Sequence, residues 1–272
     1  MRNPIVHLSS AVLLAATIVL TTLATPVGAS PSLSPAIAYD IAHVPASAFN
    51  AVSASTSAAL PLATKSQPAL NLGSSKTTIL YVGADYCPYC AAERWSLALA
   101  LARFGSFSKL GATSSYAHDI YPSTPTLSFY GSTYTSTYID FVPVELYTNK
   151  VNKTNTNYQV LQHLTKAEAK VQKTYDSSKY FPGVSTASPP IPFIDIDNHY
   201  LIVGSSFSPQ LLSGLTRNEI AASLAKPTTP AAKAIVATAN YIDAAICKSA
   251  PSTPKAVCAS PAVKAASRAL KK

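Results

Sequence analysis

Two cysteines, Cys87 and Cys90, enclose Pro88 and Tyr89. They follow Thr78-Ile79-Leu80-Tyr81-Val82, a short β-branched and aromatic run that reads as a buried strand ended by Gly83. Asp85-Tyr86 forms the turn. Pro88 then opens a helix at its first position, where a missing N–H costs nothing. This spacing puts Cys87 at the helix start, where free amide N–H groups and the positive end of the helix dipole favour a thiolate over a thiol. Cysteines in such places have pKa values lowered to roughly 3.5–7.5 from about 8.5. Cys90 lies one helical turn on, within reach of the Cys87 sulfur. Such a pair closes a small disulfide ring that opens by exchange with another thiol. Cys87 is the attacking sulfur and Cys90 resolves the mixed disulfide.

Glu93, three residues beyond Cys90 on the same helix face, is the nearest carboxylate for a proton relay; its plainer reading is a surface charge beside Arg94. Glu145 sits inside the apolar run Phe141 to Leu146 and is costly if buried unpaired, which marks it for an ion pair or a second relay. Cys247 and Cys258 flank a short loop with Pro251 and Pro254. They read as a structural disulfide worth on the order of 3 kcal/mol. The rival reading is a second redox pair that passes electrons to Cys87–Cys90. A four-cysteine zinc site needs the distant pair within ligand reach and lacks a second tight spacing. Soft thiolates suit Cu(I), yet Met1 is the only methionine. The expectation is no metal and no cofactor. His7, His43, His118, His163 and His199 are dispersed, no Ser/His/Asp arrangement stands out, and the nine Gly form no phosphate-cradling loop.

The chain has 272 residues, enough for one large domain or two small ones. Apolar residues make up 48% and charged residues 12%, which excludes a disordered polar chain, a collagen-like chain or a coiled-coil rod. The 21 Lys+Arg against 12 Asp+Glu give +9, but the basic residues are scattered. Their one cluster, Lys264, Arg268, Lys271 and Lys272, reads as a frayed basic tail, and no nucleic-acid partner is expected. Arg2 is the only charged side chain before Asp40, and an apolar stretch runs from Ala11 to Ala24. Val27 and Ala29, flanking Gly28, supply the small residues that a signal peptidase reads. Residues 1–29 are therefore a signal peptide or, as runner-up, an uncleaved membrane anchor. Either reading places the remainder outside the cytoplasm, where an even number of cysteines suits disulfides.

Residues 30–76, rich in Ala, Ser and Pro, read as an arm lying on the domain. A domain over residues 77–247 follows, with an insertion at about 117–185, and 248–272 is a disulfide-tethered basic tail. The helix opened by Pro88 is apolar on most of its circumference and ends at Gly105. Leu110 to Tyr116, Thr126 to Tyr130 and Tyr138 to Val142 read as strands. Thr165-Lys166-Ala167-Glu168 and Thr216-Arg217-Asn218-Glu219 are capping boxes. Ile191 to Ile196 and Tyr200 to Val203 form a hairpin around Asp197-Asn198. Ser208-Pro209 starts a helix, and Thr229-Pro230 opens a last one. This order is an α/β layer architecture with a mixed sheet.

At the strand, CPYC and helix, the chain resembles the thioredoxin superfamily, and its second half resembles the disulfide-bond-forming branch with a helical insertion. The resemblance implies a three-layer thioredoxin-like fold with a mixed central sheet. It also implies a cis-proline facing the cysteine pair. Ile191-Pro192 matches that place, with Thr124-Pro125 as the rival. A substrate groove would then be lined by Tyr86, Pro88, Tyr89, Ile191 and Pro192. The runs VGADYCPYCAAERW, ALARFG, FVPVELY, IPFIDI and FSPQLLSGLT, with Cys247 and Cys258, resemble a prokaryotic family of secreted or membrane-anchored thioredoxin-like proteins catalogued as a domain of unknown function. The departures are specific. Tyr81 stands where thioredoxin buries a carboxylate, and Tyr86 where a Trp is usual. CPYC is shared with glutaredoxins, but no glutathione-site signature follows Ile191-Pro192. The resemblance implies an extracytoplasmic thiol–disulfide oxidoreductase acting on protein thiols and disulfides with an unidentified redox partner. A thioredoxin-like binding module and a copper-handling protein are the alternatives.

Overall fold

The computed structural model describes residues 30–52, 58–64, 67–154, 156–175, 180, 190–250 and 252–270. The leader assigned to residues 1–29 lies outside them. The arm contributes helices α1 (Pro35–Ala42) and α2 (Ala46–Ala51) and the two-residue strand β1 (Leu62–Ala63). Then come β2 (Thr77–Gly83) and α3 (Pro88–Leu101). Short strands follow: β3 (Ser106–Ser108), β4 (Gly111–Ser114), β5 (Pro125–Ser128) and β6 (Thr133–Thr135). Next are β7 (Ile139–Glu145), β8 (Tyr147–Val151), β9 (Tyr158–Val160) and α4 (Lys166–Tyr175). The hairpin is β10 (Phe193–Ile196) and β11 (Tyr200–Val203). A 3-10 turn at Pro209–Leu212 precedes α5 (Arg217–Ser223), α6 (Pro230–Ser249), α7 (Lys255–Cys258) and α8 (Pro261–Ala269).

The protein is mixed α/β. Its main sheet has five strands in the order β1-β11-β10-β2-β7. β2 and β7 run parallel, from Thr77 opposite Ile139 to Gly83 opposite Glu145. The other pairings are antiparallel. β2 is buried along its whole length because both of its faces are covered. Side chains alternate between faces along a strand. Ile79 and Tyr81 accordingly join a core with α3, α6 and the arm residues Ile37, Ile41 and Phe49. Leu80 and Val82 join a smaller core with Leu70, Val144, Tyr175 and Phe193 on the opposite face. Gly83 allows the close approach of Tyr81, since a Cβ there would lie 2.1 Å from the Tyr81 hydroxyl.

Local signals placed several boundaries. Both capping boxes form, Glu219 with Thr216 and Glu168 with Thr165. The arm packs on the domain: the Asn240 side-chain amide on α6 donates to the carbonyls of Phe49 and Val52. Three expectations change. Among its described residues, the segment expected to be a helical insertion holds strands β5 to β9 and one helix, α4, and β7 joins the main sheet. The alternating Thr and Tyr residues there suit pleated, half-buried surfaces. The start signal at Ser208-Pro209 yields only a 3-10 turn. Among its described residues, which end at 270, the basic tail is folded: α7 and α8 bury Val257, Ala262, Val263 and Ala266, with Leu270 beyond them. Lys264 and Arg268 occupy the outer face of an amphipathic helix.

Candidate redox site

Cys87 is the N-cap residue of α3. Its backbone is extended, so its sulfur folds back over the first helical turn and accepts the Cys90 N–H at 3.1 Å. Both thiols are free. Cys87 is 4% exposed and Cys90 is fully buried. Burial pushes the Cys87 thiol up, but the Cys90 thiol and N–H, the Arg94 charge and the Tyr89 N–H together hold it below the ordinary thiol value. Cys90 goes the other way. Burial, the hydrogen bond with Cys87 and the negative charge of Cys87 hold it well above the ordinary value. The geometry therefore makes the pair unequal: one sulfur is ready to ionise and its neighbour keeps its proton. Across from them, the Ile191–Pro192 peptide bond is cis, and the Ile191 carbonyl lies 3.9 Å from the Cys87 sulfur. No cis bond occurs at Thr124–Pro125 among the described residues; instead the Pro125 carbonyl accepts the Trp95 indole N–H at 3.0 Å.

Behind the thiols sits a charged group in which sequence reasoning gave Arg94 no role. Arg94 is fully buried. Its Nε donates to Glu145 Oε1 at 2.8 Å and its Nη2 to Oε2 at 2.6 Å. Asp85, two residues before Cys87, has Oδ1 3.7 Å from the same Nη2. The Arg94 guanidinium also lies over the Tyr81 ring, 5.9 Å from its centroid. Tyr81 thus fills the buried position behind the cysteines with an aromatic ring, and the carboxylates come from Asp85 and Glu145. Glu145 is the buried ion pair that its apolar surroundings required. Burial raises its carboxyl, and Arg94 opposes that.

The profile of a family described as a domain of unknown function, DUF929, matches residues 65–248. The chain belongs to this family. The DUF929 match takes in Cys87, Cys90, Arg94, Glu145, Pro192 and Cys247. The arm helices α1 and α2, and Cys258 with α8, lie outside it. No curated protein and no solved structure matches the chain.

Within the DUF929 region, the expected groove residues differ in access. Tyr89 is 40% exposed, with its ring edge-on to Tyr121. Tyr86 and Ile191 are half-buried, whereas Pro88 and Pro192 are buried. Tyr86 stacks face to face on Tyr158 at 4.0 Å, and Tyr116 closes on Tyr158 edge-on. Tyr158 on β9 and Tyr116 and Tyr121 in the connection between β4 and β5 therefore surround Tyr86 and Tyr89, the tyrosines that flank and separate the cysteines. Sequence reading missed Tyr116, Tyr121 and Tyr158, because only the chain's path brings them there.

Glu93 is not a surface charge. It is fully buried and accepts the Ser206 N–H at 2.7 Å and the Ser206 hydroxyl at 3.1 Å. Burial pushes its carboxyl up to about 7, against those two hydrogen bonds. Its oxygens face Ser206, while Arg94 faces the thiols. A sequence signal for Arg94 did exist. It lies four residues after Cys90 and seven after Cys87, on the face the cysteines share. The surrounding helix is also too apolar to leave either charge in water.

Cys247 and Cys258 form a disulfide with their Cα atoms 5.7 Å apart. The bond ties α6 to α7 at the end of the sheet away from Pro192, where Lys248, His199 and Tyr200 line one cavity. The sulfurs of the second pair bind each other, while Cys87 and Cys90 remain free thiols. Among the described residues no group of three or more His, Cys, Asp or Glu is placed to hold a metal ion. No helix among them is long and apolar enough to cross a membrane.

Proposed function

We propose that this chain is an extracytoplasmic thiol–disulfide oxidoreductase built on a thioredoxin-like core. The topology supports that core. A parallel β2–β7 pair encloses α3, and the antiparallel β10–β11 hairpin follows a cis-proline and leads to α6. One observation carries the activity: the Cys87 sulfur accepts the Cys90 N–H at the start of α3, facing the Ile191 carbonyl. The Cys87 thiolate attacks one sulfur of a substrate disulfide. The other substrate sulfur leaves as a thiolate and takes a proton, and a mixed disulfide remains. Cys90 then loses its proton and attacks the Cys87 sulfur, releasing the second substrate thiol. The substrate gains two electrons and two protons, and Cys87–Cys90 becomes the disulfide. Run in reverse, the same steps oxidise a dithiol.

Sulfur carries the electrons, so the scheme calls for no cofactor. Protein thiols and disulfides are the substrates, and a separate redox partner restores the pair. The Cys247–Cys258 disulfide is of the kind that persists outside a reducing cytosol, which supports a secreted or membrane-anchored chain. The test is the reduction potential of the Cys87–Cys90 pair, with Cys87→Ser and Cys90→Ser variants. Unchanged exchange with a model disulfide in both variants overturns the reading. The low exposure of Cys87, 4%, favours a second reading, a binding module with the pair as a clasp. A Cys87–Cys90 disulfide that resists millimolar dithiol would select it.

A further inference from the structure

We propose that cleavage of the leader between Ala29 and Ser30 completes the charge cluster behind the cysteines, by placing the new α-ammonium of Ser30 beside Asp85. In the cleavage, a signal peptidase adds water across the Ala29–Ser30 amide. Ala29 leaves as a carboxylate carrying the water oxygen, and Ser30 keeps the nitrogen and takes both hydrogens of the water, becoming an ammonium. The effect on Cys87 rests on the oxidoreductase reading; the ion pair does not.

Ser30 is stitched in place. Its hydroxyl donates to Asp85 Oδ2 at 3.2 Å. Leu33 N–H donates to the Leu110 carbonyl at 2.7 Å and Ala112 N–H to the Pro31 carbonyl at 2.6 Å, so residues 31–33 pair with the edge of β4. A Cβ on Gly111 would lie 3.1 Å from the Ser30 Cβ, so Ser30 packs directly on that strand. The residue that follows the small-residue cleavage signal is therefore the one that touches Asp85.

Within the cluster Asp85 has the smaller share of the positive charge. Asp85 and Glu145 are both buried and share one guanidinium. Arg94 gives both of its short hydrogen bonds to Glu145. Asp85 is left with the longer 3.7 Å contact and two hydroxyls, Ser30 and Ser128. A buried carboxylate without a full partner is costly. Three bonds link the nitrogen of a serine to its own hydroxyl oxygen, so the two lie within about 4 Å of each other. The ammonium consequently falls within about 7 Å of the Asp85 carboxylate, and it adds positive charge to the same cluster from which Arg94 already favours the Cys87 thiolate.

The experiment secretes the full-length chain and reads the first residue of the purified protein by mass spectrometry; Ser30 is expected. The α-amine is then labelled with an N-hydroxysuccinimide ester at pH 7.5. An ion-paired amine is expected to label about fivefold more slowly than the same amine in Asp85→Asn. On the unsubstituted chain, acetylating Ser30 is expected to lower Tm and slow Cys87 alkylation about threefold, relative to the free amine. This comparison needs no variant that folds poorly. A different first residue, or equal labelling with and without Asp85, overturns the proposal whatever the cysteines do. Slow labelling combined with no thiol exchange overturns the oxidoreductase reading and leaves the ion pair standing.

Discussion

Arg94 on α3 holds Glu145, the last residue of β7, through both carboxylate oxygens, inside an interface that buries the two side chains completely. Removing one member of a buried pair leaves an uncompensated charge, at a cost of about 3–5 kcal/mol. Glu145→Ala and Arg94→Met are each expected to lower the urea midpoint accordingly. The double variant Arg94→Met/Glu145→Leu is expected to lose much less than the sum. Arg94→Met is also expected to slow Cys87 alkylation at neutral pH, because a charge that favours the thiolate is gone.

The two thiols titrate apart. Cys87 lies below the ordinary thiol value and Cys90 well above it. Iodoacetamide is expected to modify Cys87 first, with a pH midpoint below that of a free cysteine, and to leave Cys90 untouched in the folded chain. Cys87→Ser is expected to cut disulfide exchange at least about 100-fold, since no second sulfur has the attacking position. Cys90→Ser is expected to accumulate the mixed disulfide. Mass spectrometry after alkylation reads both outcomes.

Glu93 gives the fold a pH dependence of definite sign. Burial raises its carboxyl from 4.5 to about 7. Below pH 4.5 the folded and unfolded chains both hold the proton, and the stability linked to this group is fully present. Between pH 4.5 and 7 the unfolded chain releases the proton while the folded chain keeps it, so stability falls as pH rises. Above 7 the loss is complete. Asp195, raised from 3.8 to about 7 by burial, acts in the same direction. Glu93→Gln is expected to flatten Tm against pH between 5 and 7, and adding Asp195→Asn to flatten it further. Thermal unfolding across that range is the measurement.

The Cys247–Cys258 bond closes a short loop between α6 and α7. Cys247→Ser/Cys258→Ser is expected to cost about 3 kcal/mol through freedom returned to the unfolded chain. Exchange at Cys87–Cys90 is expected to stay within about twofold, because the second pair acts only through stability. Chemical denaturation and an insulin-reduction assay separate the two effects.

Much of the frame was readable along the chain. β2 and α3 follow from an apolar run, a proline and a cysteine cap within a dozen residues. The β10–β11 hairpin and both capping boxes are equally local. The 117–160 region was harder. Its strands are short, and its tyrosines gain meaning only when Tyr158 stacks on Tyr86, far back in the chain. The end of the chain misled because four basic residues drew attention from Val263, Ala266 and Leu270, which line the buried side of α8 and the residue after it.

Caps, turns, hydrophobic period and the spacing of Cys87 and Cys90 act over a few bonds, so the order of residues specifies them before the chain closes on itself. Which charges sit behind those sulfurs is another matter. Arg94 meets Glu145 across 51 positions, and Asp85 meets Ser30 across 55. Such partners become neighbours only once the parallel β2–β7 pair and the arm are in place. Until water is excluded around them, a buried acid or guanidinium is indistinguishable from a surface one. The folded interior sets the strength of these charges, and with it the reactivity of Cys87.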